Sequence, residues 1–200
     1  WNGIKPPYLD LLKWLKGNGN YPEIKLSETF HTMMLASSFN PNKDANKINS
    51  HDYIVENKWD GIRVQILCEN KSTKLFSRNG ENISNSFPEV LINSKRLTVL
   101  DGELLAGKEF QPYSFGELQK RLNKKKPSKK LQTEVPIFVR LYDILFFNGI
   151  DIRNKNLTFR KEQLKKFYSE YNLFKNFDIS EIINFSNFID LQRIYNNLFN

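Results

Sequence analysis

The sequence predicts an α+β fold in which mainly antiparallel sheets are flanked by helices. Three observations predict it. Apolar and polar residues alternate over residues 62–68, which is typical of a strand. Apolar residues recur at helical spacing over residues 157–171, through Leu164 and Phe167, which predicts an amphipathic helix. The Asn79-Gly80 pair favours a hairpin turn, so the strands are expected to pair in antiparallel fashion.

The first half of the chain is predicted to begin with a helix and continue as strands. A leucine recurs every third residue over 8–16, which predicts a short amphipathic helix that Gly17 ends. These leucines are Leu9, Leu12 and Leu15. Strands are predicted over 53–55, 62–68 and 73–77. A second helix is predicted over 87–95, because Ser86 is a favoured N-cap residue and Pro88 suits the first turn.

The second half of the chain is predicted to alternate apolar strands with helices. The strands are predicted over 97–105, 137–147 and 179–185. The helices are predicted over 115–122, 157–171 and 188–199. Residues 123–134 are polar and basic, and are expected to form a connection. Asp101 and Glu103 stand out because they interrupt an otherwise apolar strand.

The composition narrows the class of protein. Lys and Arg number 30 against 22 Asp and Glu, which gives a formal net charge of +8. A basic surface favours polyanionic partners such as nucleic acid or nucleotides. A single cysteine excludes a disulfide framework, and two histidines argue against a zinc site. The scarcity of cysteine fits a reduced cytoplasmic setting. The apolar runs are too short for a membrane span of about 20 residues.

Four short motifs carry the candidate chemistry. In chain order they are Lys58-Trp59-Asp60-Gly61, Ser77-Arg78-Asn79-Gly80, Asp101-Gly102-Glu103, and Leu141-Tyr142-Asp143 with Phe147-Asn148-Gly149. A lysine held at the end of a strand can act as a nucleophile, although the first motif alone also suits a surface hairpin with a Lys–Asp pair. A bound nucleotide requires a ring to stack on, donors for its ribose and phosphates, and acids for a divalent metal. The four motifs together supply these groups.

In this order and spacing, the motifs resemble those of the ATP-dependent DNA ligases, which are covalent nucleotidyltransferases. Met33-Met34-Leu35-Ala36 and the segment 114–121 resemble two further stretches of that family. The resemblance implies the nucleotidyltransferase fold of ligase adenylation domains, which is ATP-grasp-like. Residues 31–200 are expected to form a partial adenylation domain. Residues 1–30 are expected to be a lead-in, the tail of an N-terminal DNA-binding region.

The resemblance ends before the family's later motifs. No Glu-Gly motif and no second lysine motif follow Phe185, and the basic motif of an OB-fold is also missing. The fold is therefore expected to be incomplete at its C-terminus. This chain alone is not expected to complete the sealing of a DNA nick.

The resemblance also implies roles for the site residues. Lys58 is the expected nucleophile that takes up AMP. The expected nucleotide-binding residues are Glu56, Arg63, Arg78, Glu103 and Tyr142. Among these, Tyr142 would stack on adenine and Glu103 would hold the ribose or a metal ion. Asp60 is a second candidate metal ligand. The implied cofactors are ATP and Mg²⁺ or Mn²⁺.

A basic segment is the candidate DNA contact. Its cations are Lys120, Arg121, Lys124, Lys125, Lys126, Lys129 and Lys130. Lysines and arginines can bind the phosphate backbone without reading sequence, although a run of charges is also typical of a solvated loop. The resemblance implies nicked double-stranded DNA as the partner of a monomeric protein that binds no membrane. It also implies work in DNA repair, recombination or replication, on the bacterial nucleoid in the cytoplasm.

Two other classes of function remain open on the sequence. RNA ligases and mRNA-capping nucleotidyltransferases share the lysine motif, but the stretches at 33–36 and 114–121 favour a DNA ligase. A non-catalytic remnant that binds a nucleotide or DNA is the second alternative, because the later motifs are missing.

Overall fold

The computed structural model describes residues 4, 7–24, 28–122 and 124–198. The helices are α1 (Leu9–Leu15), α2 (Pro41–Asp44), α3 (Phe115–Leu122), α4 (Lys129–Glu134), α5 (Leu157–Glu170) and α6 (Phe188–Leu198). The strands are β1 (Val55–Glu56), β2 (Ile62–Glu69), β3 (Ser72–Ser77), β4 (Thr98–Lys108), β5 (Gln111–Pro112), β6 (Ile137–Phe147), β7 (Ile150–Asp151), β8 (Phe177–Ile179) and β9 (Ile182–Ile183). None of these described helices is both long and apolar enough to cross a membrane.

The chain divides into two compact units. The first unit comprises Trp1–Thr32 and Asp60–Ile179, and the second comprises Met33–Trp59 and Ser180–Asn200. The predicted division into a lead-in of residues 1–30 and a domain of residues 31–200 stays a prediction.

A sheet organises the first unit. Its strand order is β3-β2-β4-β6-β7, with β5 paired to β4 and β8 paired to β6. All of these pairs are antiparallel except β6 with β8. Side chains that alternate along β2, β4 and β6 form the core, together with Leu164 and Phe167 of α5, which are fully buried. This arrangement confirms the predicted strands at 62–68, 97–105 and 137–147 and the predicted helix at 115–122.

Strand β2 is buried on both faces, although its alternating sequence predicts one solvent face. Gln65 is fully buried, and its amide exchanges two hydrogen bonds with the backbone of His31. The His31 N–H donates to Gln65 Oε1 at 2.7 Å, and Gln65 Nε2 donates to the His31 carbonyl at 2.8 Å. The His31 ring lies 4.4 Å from the Phe146 ring. His31 thus covers part of the second face of the sheet.

Two glycines allow the central strands to pack closely. A Cβ atom at Gly102 would lie 2.8 Å from both the Arg140 carbonyl oxygen and Val139 Cγ1. A Cβ atom at Gly61 would meet the backbone oxygen of Leu104. A larger residue at either position would force a backbone to shift. The glycines of two sequence motifs are therefore required by the close approach of β2, β4 and β6.

Strand β6 carries a β-bulge at Tyr142. Leu141 pairs with Gly102 and Asp143 pairs with Asp101, so two steps along β6 oppose one step along β4. A bulge leaves one residue unpaired in the ladder and redirects the side chains around it. The bulge therefore decides where the Tyr142 side chain points.

The second unit is built around a two-stranded sheet. Strands β1 and β9 pair in antiparallel fashion, with Val55 opposite Ile183. The ring of Phe39 lies 5.7 Å from that of Phe188 at the start of α6. The predicted strand at 179–185 is thus only partly correct, because its residues divide between β8 and β9, which belong to different sheets.

Four other predicted elements differ from the structure. The strand predicted over 53–55 forms only as the short β1 (Val55–Glu56). Residues 87–95 form no helix, because the backbone of Ile92 exchanges two 2.9 Å hydrogen bonds with the Thr73 hydroxyl at the edge of β3. The predicted connection at 123–134 contains α4, whose first turn is capped by the Ser128 hydroxyl. Helix α1 forms, but its three spaced leucines are half exposed or more, and Leu11 is the buried one.

Arg121, predicted to contact DNA, lies instead in the protein core. Its side chain is fully buried in α3. Its guanidinium donates to the carbonyl oxygens of Val135 at 2.8 Å and Ser86 at 3.2 Å, and Nη2 lies 2.8 Å from a carboxylate oxygen of Glu89. The guanidinium therefore joins α3 to two loops and is not available to a phosphate.

We predict that Arg121→Ala lowers the free energy of unfolding by about 3–5 kcal/mol, because it leaves two carbonyls without their donor and the Glu89 carboxylate without its cation. Lys120→Ala is the matched control. Lys120 is exposed and pairs with the partly buried Glu117, so its loss should cost less than about 1 kcal/mol. Urea unfolding measures the loss in free energy of unfolding for each variant. Similar losses in the two variants would contradict a core role for Arg121.

Candidate functional site

A row of charged side chains crosses the centre of the main sheet. Arg63 of β2 lies opposite Glu103 of β4, which in turn lies opposite Arg140 of β6. Directly opposed residues of an antiparallel sheet project from the same face. Glu103 is half-buried, and it therefore lies between two arginines.

Arg63 forms a bidentate ion pair with Asp101. Its Nε donates to Asp101 Oδ1 at 3.1 Å, and its Nη2 donates to Oδ2 at 2.6 Å. The Tyr142 hydroxyl donates to the same Oδ1 at 3.1 Å. The Arg63 guanidinium also lies 5.8 Å from the centre of the Tyr142 ring. One carboxylate thus holds both an arginine and an aromatic ring in place.

Burial controls the protonation of this cluster. Asp101 is almost completely buried, and burial raises its pKa, while the ion pair with Arg63 acts in the opposite direction. Hydrogen bonding to Asp101 raises the pKa of Arg63, and the negative charge of Glu103 adds to that rise. Burial also raises the pKa of Tyr142, so its hydroxyl stays a hydrogen-bond donor.

Arg140 is anchored away from this cluster. Its Nε and Nη2 donate to Asp178 at 2.8 and 2.6 Å, and Nη2 also donates to the Phe110 carbonyl at 2.8 Å. The sequence reasoning missed this residue, together with the role of Asp101 as the partner of Arg63. A charged residue in an apolar strand requires a partner of opposite charge. The position of Asp101 and Arg140 in apolar strands was the sequence signal that could have pointed to these ion pairs.

Lys58 and Glu56 belong to the second unit. Glu56 is half-buried in β1, where it lies opposite Ile182. Lys58 is exposed, and next to it Trp59 Nε1 donates to the Ser180 hydroxyl at 3.1 Å. This hydrogen bond fixes the indole beside the lysine and joins the two segments of the unit.

Asp60 and Arg78 lie on exposed turns of the first unit. Asp60 is exposed ahead of β2. Arg78 is exposed in the turn after β3, which the Gly80 N–H closes by donating to the Ser77 carbonyl at 2.9 Å. Neither side chain joins the Arg63–Asp101–Tyr142 cluster through the contacts described above.

The described residues contain no group of three or more histidines, cysteines or acids that could hold a metal ion by themselves. Mg²⁺ in nucleotide sites commonly takes one or two carboxylates and completes its shell with phosphates and water. A single carboxylate such as Glu103 therefore fits a metal that arrives with a nucleotide better than a protein-only metal site.

Comparison with known proteins assigns the family. The sequence model of a family described as "ATP dependent DNA ligase domain" matches residues 33–200. The chain belongs to the ATP-dependent DNA ligase family. A probable DNA ligase of Koribacter versatilis is 37% identical over 148 residues, which are 70% of this chain and 25% of that protein. A DNA ligase of Methanosphaera stadtmanae is 38% identical over 101 residues, which are 48% of this chain and 18% of that protein.

This ligase-family chain spans about a quarter of the length of the curated relatives it matches. Solved ligase structures show the same fold. The ligase domain of M. tuberculosis LigD aligns with a TM-score of 0.57 at 16% identity, covering 76% of this chain and 46% of that one. The ATP-dependent DNA ligase of bacteriophage T7 aligns with a TM-score of 0.50 at 19% identity, covering 78% and 55%. The predicted ligase adenylation fold is thereby confirmed.

We predict that the ion pair of this ligase-family chain makes its stability depend on pH. Arg63→Met should lower the free energy of unfolding by about 2–3 kcal/mol at pH 7, because a buried carboxylate loses its partner. Near pH 4 the loss should be smaller. Removing the cation raises the pKa of Asp101 further above its ordinary value of 3.8, so the folded protein then holds a neutral acid.

Urea unfolding at several pH values measures this difference. The double variant Arg63→Met with Asp101→Asn is the control, because it has no carboxylate to titrate at this position. The difference in free energy of unfolding between this double variant and the Asp101→Asn protein should be the same at pH 4 and at pH 7. A loss for Arg63→Met alone that is equal at both pH values would contradict the ion pair as the cause.

Proposed function

We propose that this chain is the adenylation region of an ATP-dependent DNA ligase, which forms a covalent lysyl-AMP on Lys58 and passes AMP to the 5′-phosphate of nicked DNA. The observation that carries the proposal is the cluster of Arg63, Asp101 and Tyr142 beside Glu103, in a chain of the ligase family that also has the Lys58-Trp59-Asp60-Gly61 motif. Sealing by the 3′-hydroxyl would follow in the whole protein.

The first step is a displacement at the α-phosphate of ATP. Lys58 Nζ attacks as a neutral amine, after one of its protons has passed to solvent water. A nitrogen–phosphorus bond forms while the bond from the α-phosphorus to the bridging oxygen breaks, and pyrophosphate leaves with the electron pair. Transfers of this kind depend mainly on positioning and on neutralising charge. A Mg²⁺ ion bound with ATP would supply charge neutralisation at the phosphates.

The remaining residues would bind and orient the nucleotide. The anchored ring of Tyr142 offers a stacking partner for adenine, and Glu56 would contact the base. Glu103 would accept hydrogen bonds from ribose hydroxyls or ligate the metal. Arg63 and Arg78 would donate to ribose and phosphate oxygens, with Arg63 already oriented by Asp101.

The basic segment supports DNA as the partner. Six of its seven cations are exposed on and around α3 and α4. They are Lys120, Lys124, Lys125, Lys126, Lys129 and Lys130. Lys120 and Lys130 lie within 4 Å of acidic side chains of their own helices. The remaining four lysines would contribute most to phosphate binding.

We predict that the natural gene product carrying this chain gains the mass of one AMP when it is incubated with ATP and Mg²⁺. Lys58→Ala should abolish that gain, because it removes the nucleophile. Lys43→Ala, which removes an exposed lysine of the same unit, should leave it unchanged. Intact-protein mass spectrometry measures all three.

GTP in place of ATP tests the capping-type alternative, and labelling with GTP alone would favour it. A parent protein that arrives without AMP and gains none would contradict the proposed ligase mechanism. That outcome would favour a remnant that only binds a nucleotide or DNA.

We predict a salt-dependent contact between the basic segment and nicked DNA. The triple variant Lys124→Ala/Lys125→Ala/Lys126→Ala should bind a nicked duplex more weakly, and the slope of log affinity against log salt should fall by about 2–3. A triple variant at three other exposed lysines, Lys155→Ala/Lys165→Ala/Lys175→Ala, has the same net charge and is the control. Equal losses in both variants would show a general charge effect and contradict a local contact.

A further inference from the structure

We propose that Arg160 is a positioning residue for Tyr142, which it orients through a buried ion pair with Asp143. The inference rests on the proposed function, because it assumes that Tyr142 stacks on the adenine of ATP. Arg160 lies in helix α5, outside all four sequence motifs, and nothing in the proposed chemistry uses it directly.

The ion pair is short, bidentate and buried. Arg160 Nε donates to Asp143 Oδ1 at 2.9 Å, and Nη2 donates to Oδ2 at 3.0 Å. Both residues are more than nine-tenths buried. Arg160 Nη1 donates to the Lys155 carbonyl at 2.6 Å, which ties the guanidinium to the segment that leads into α5. A guanidinium held at three positions has one orientation, and it imposes that orientation on the carboxylate.

The pair acts at the bulge of β6. Tyr142 and Asp143 are the two residues that the bulge sets against Asp101. Asp143 is directed to α5 by Arg160, and its Oδ1 also accepts from the N–H of Ile144 at 2.8 Å. Tyr142 is directed to Asp101 by its hydroxyl. Adjacent side chains on a bulge share one backbone conformation, so fixing Asp143 limits the directions open to Tyr142.

The charge of Arg160 also limits the effect of Asp143 on the pKa of Asp101, the hydrogen-bond partner of Tyr142. The negative charge of Asp143 raises the pKa of Asp101. Arg160 places a positive charge directly on Asp143, which opposes that influence. Without Arg160, a buried unpaired carboxylate would lie near Asp101 and would weaken the ion pair that orients Arg63. Arg160 of α5 therefore acts on the Arg63–Asp101–Tyr142 cluster in two ways. It restrains the bulge through Asp143, and it balances the Asp143 charge near Asp101.

The test measures self-adenylation of the natural gene product as a function of ATP concentration, with Mg²⁺ present. For Arg160→Met, we expect the ATP concentration at half-maximal rate to rise about fivefold to tenfold, because stacking of a base on an aromatic ring is worth roughly fivefold to 150-fold in affinity. The maximal rate should change much less, because the attacking Lys58 is untouched. Arg160→Lys keeps the positive charge but cannot make the bidentate contact to Asp143, so its half-maximal ATP concentration should lie between those of the parent and Arg160→Met. This variant replaces Arg160→Met in the test if Arg160→Met does not fold.

A double-mutant cycle separates positioning from stability. In a Tyr142→Ala background, Arg160→Met should no longer change the half-maximal ATP concentration, because the ring it orients is gone. Arg153→Met is the matched control. Arg153 also forms a bidentate pair, with Asp151, but this pair is partly exposed and lies outside the bulge. The Arg153→Met variant should keep the half-maximal ATP concentration of the parent.

The outcomes distinguish the two proposals. If the parent and Arg153→Met gain AMP and Arg160→Met only lowers the melting temperature, the positioning role is wrong while the proposed function stands. The positioning role is also wrong if the effect of Arg160→Met persists unchanged in the Tyr142→Ala background. If the parent itself arrives without AMP and gains none, the proposed function fails, and the positioning role fails with it.

Discussion

The buried carboxylate of Asp101 constrains the centre of the molecule. A carboxylate in this position is unfavourable unless its oxygens are hydrogen-bonded and its charge is balanced. Arg63 supplies the charge from β2, and the Tyr142 hydroxyl supplies a further hydrogen bond from β6. Three neighbouring strands therefore meet at one acidic group. The same contacts that make the acid tolerable also fix the arginine and the ring that a nucleotide would need.

The backbone geometry around Asp101 follows from close packing. Gly61 and Gly102 allow β2, β4 and β6 to approach so closely that a Cβ atom would collide with a neighbouring strand. The bulge in β6 then turns Tyr142 toward Asp101 and leaves Asp143 for Arg160 of α5. Buried ion pairs thus hold both sides of the bulge. A helix that looks purely structural on its sequence becomes part of the support for the candidate site.

The buried or half-buried arginines of the first unit and the exposed lysines around α4 have different roles. Arg63, Arg121, Arg140 and Arg160 donate to buried or half-buried oxygens and hold strands, loops and helices together. The planar guanidinium suits this work because it makes several hydrogen bonds in fixed directions. The lysines around α4 are exposed, and a compact mobile charge of that kind suits a phosphate backbone. A count of charges along the sequence could not separate these groups.

The sequence by itself determined the family, the order of the motifs, the helix at 115–122 and the strand at 137–147, because residue chemistry and local periodicity are written along the chain. It did not determine the buried position of Arg121 or the non-helical course of 87–95. It also did not reveal the pairing of Arg63 with Asp101, 38 residues away. Only the tertiary structure decided these features. Each depends on which distant backbone or carboxylate group needs a partner after the strands have packed, and no local pattern encodes that.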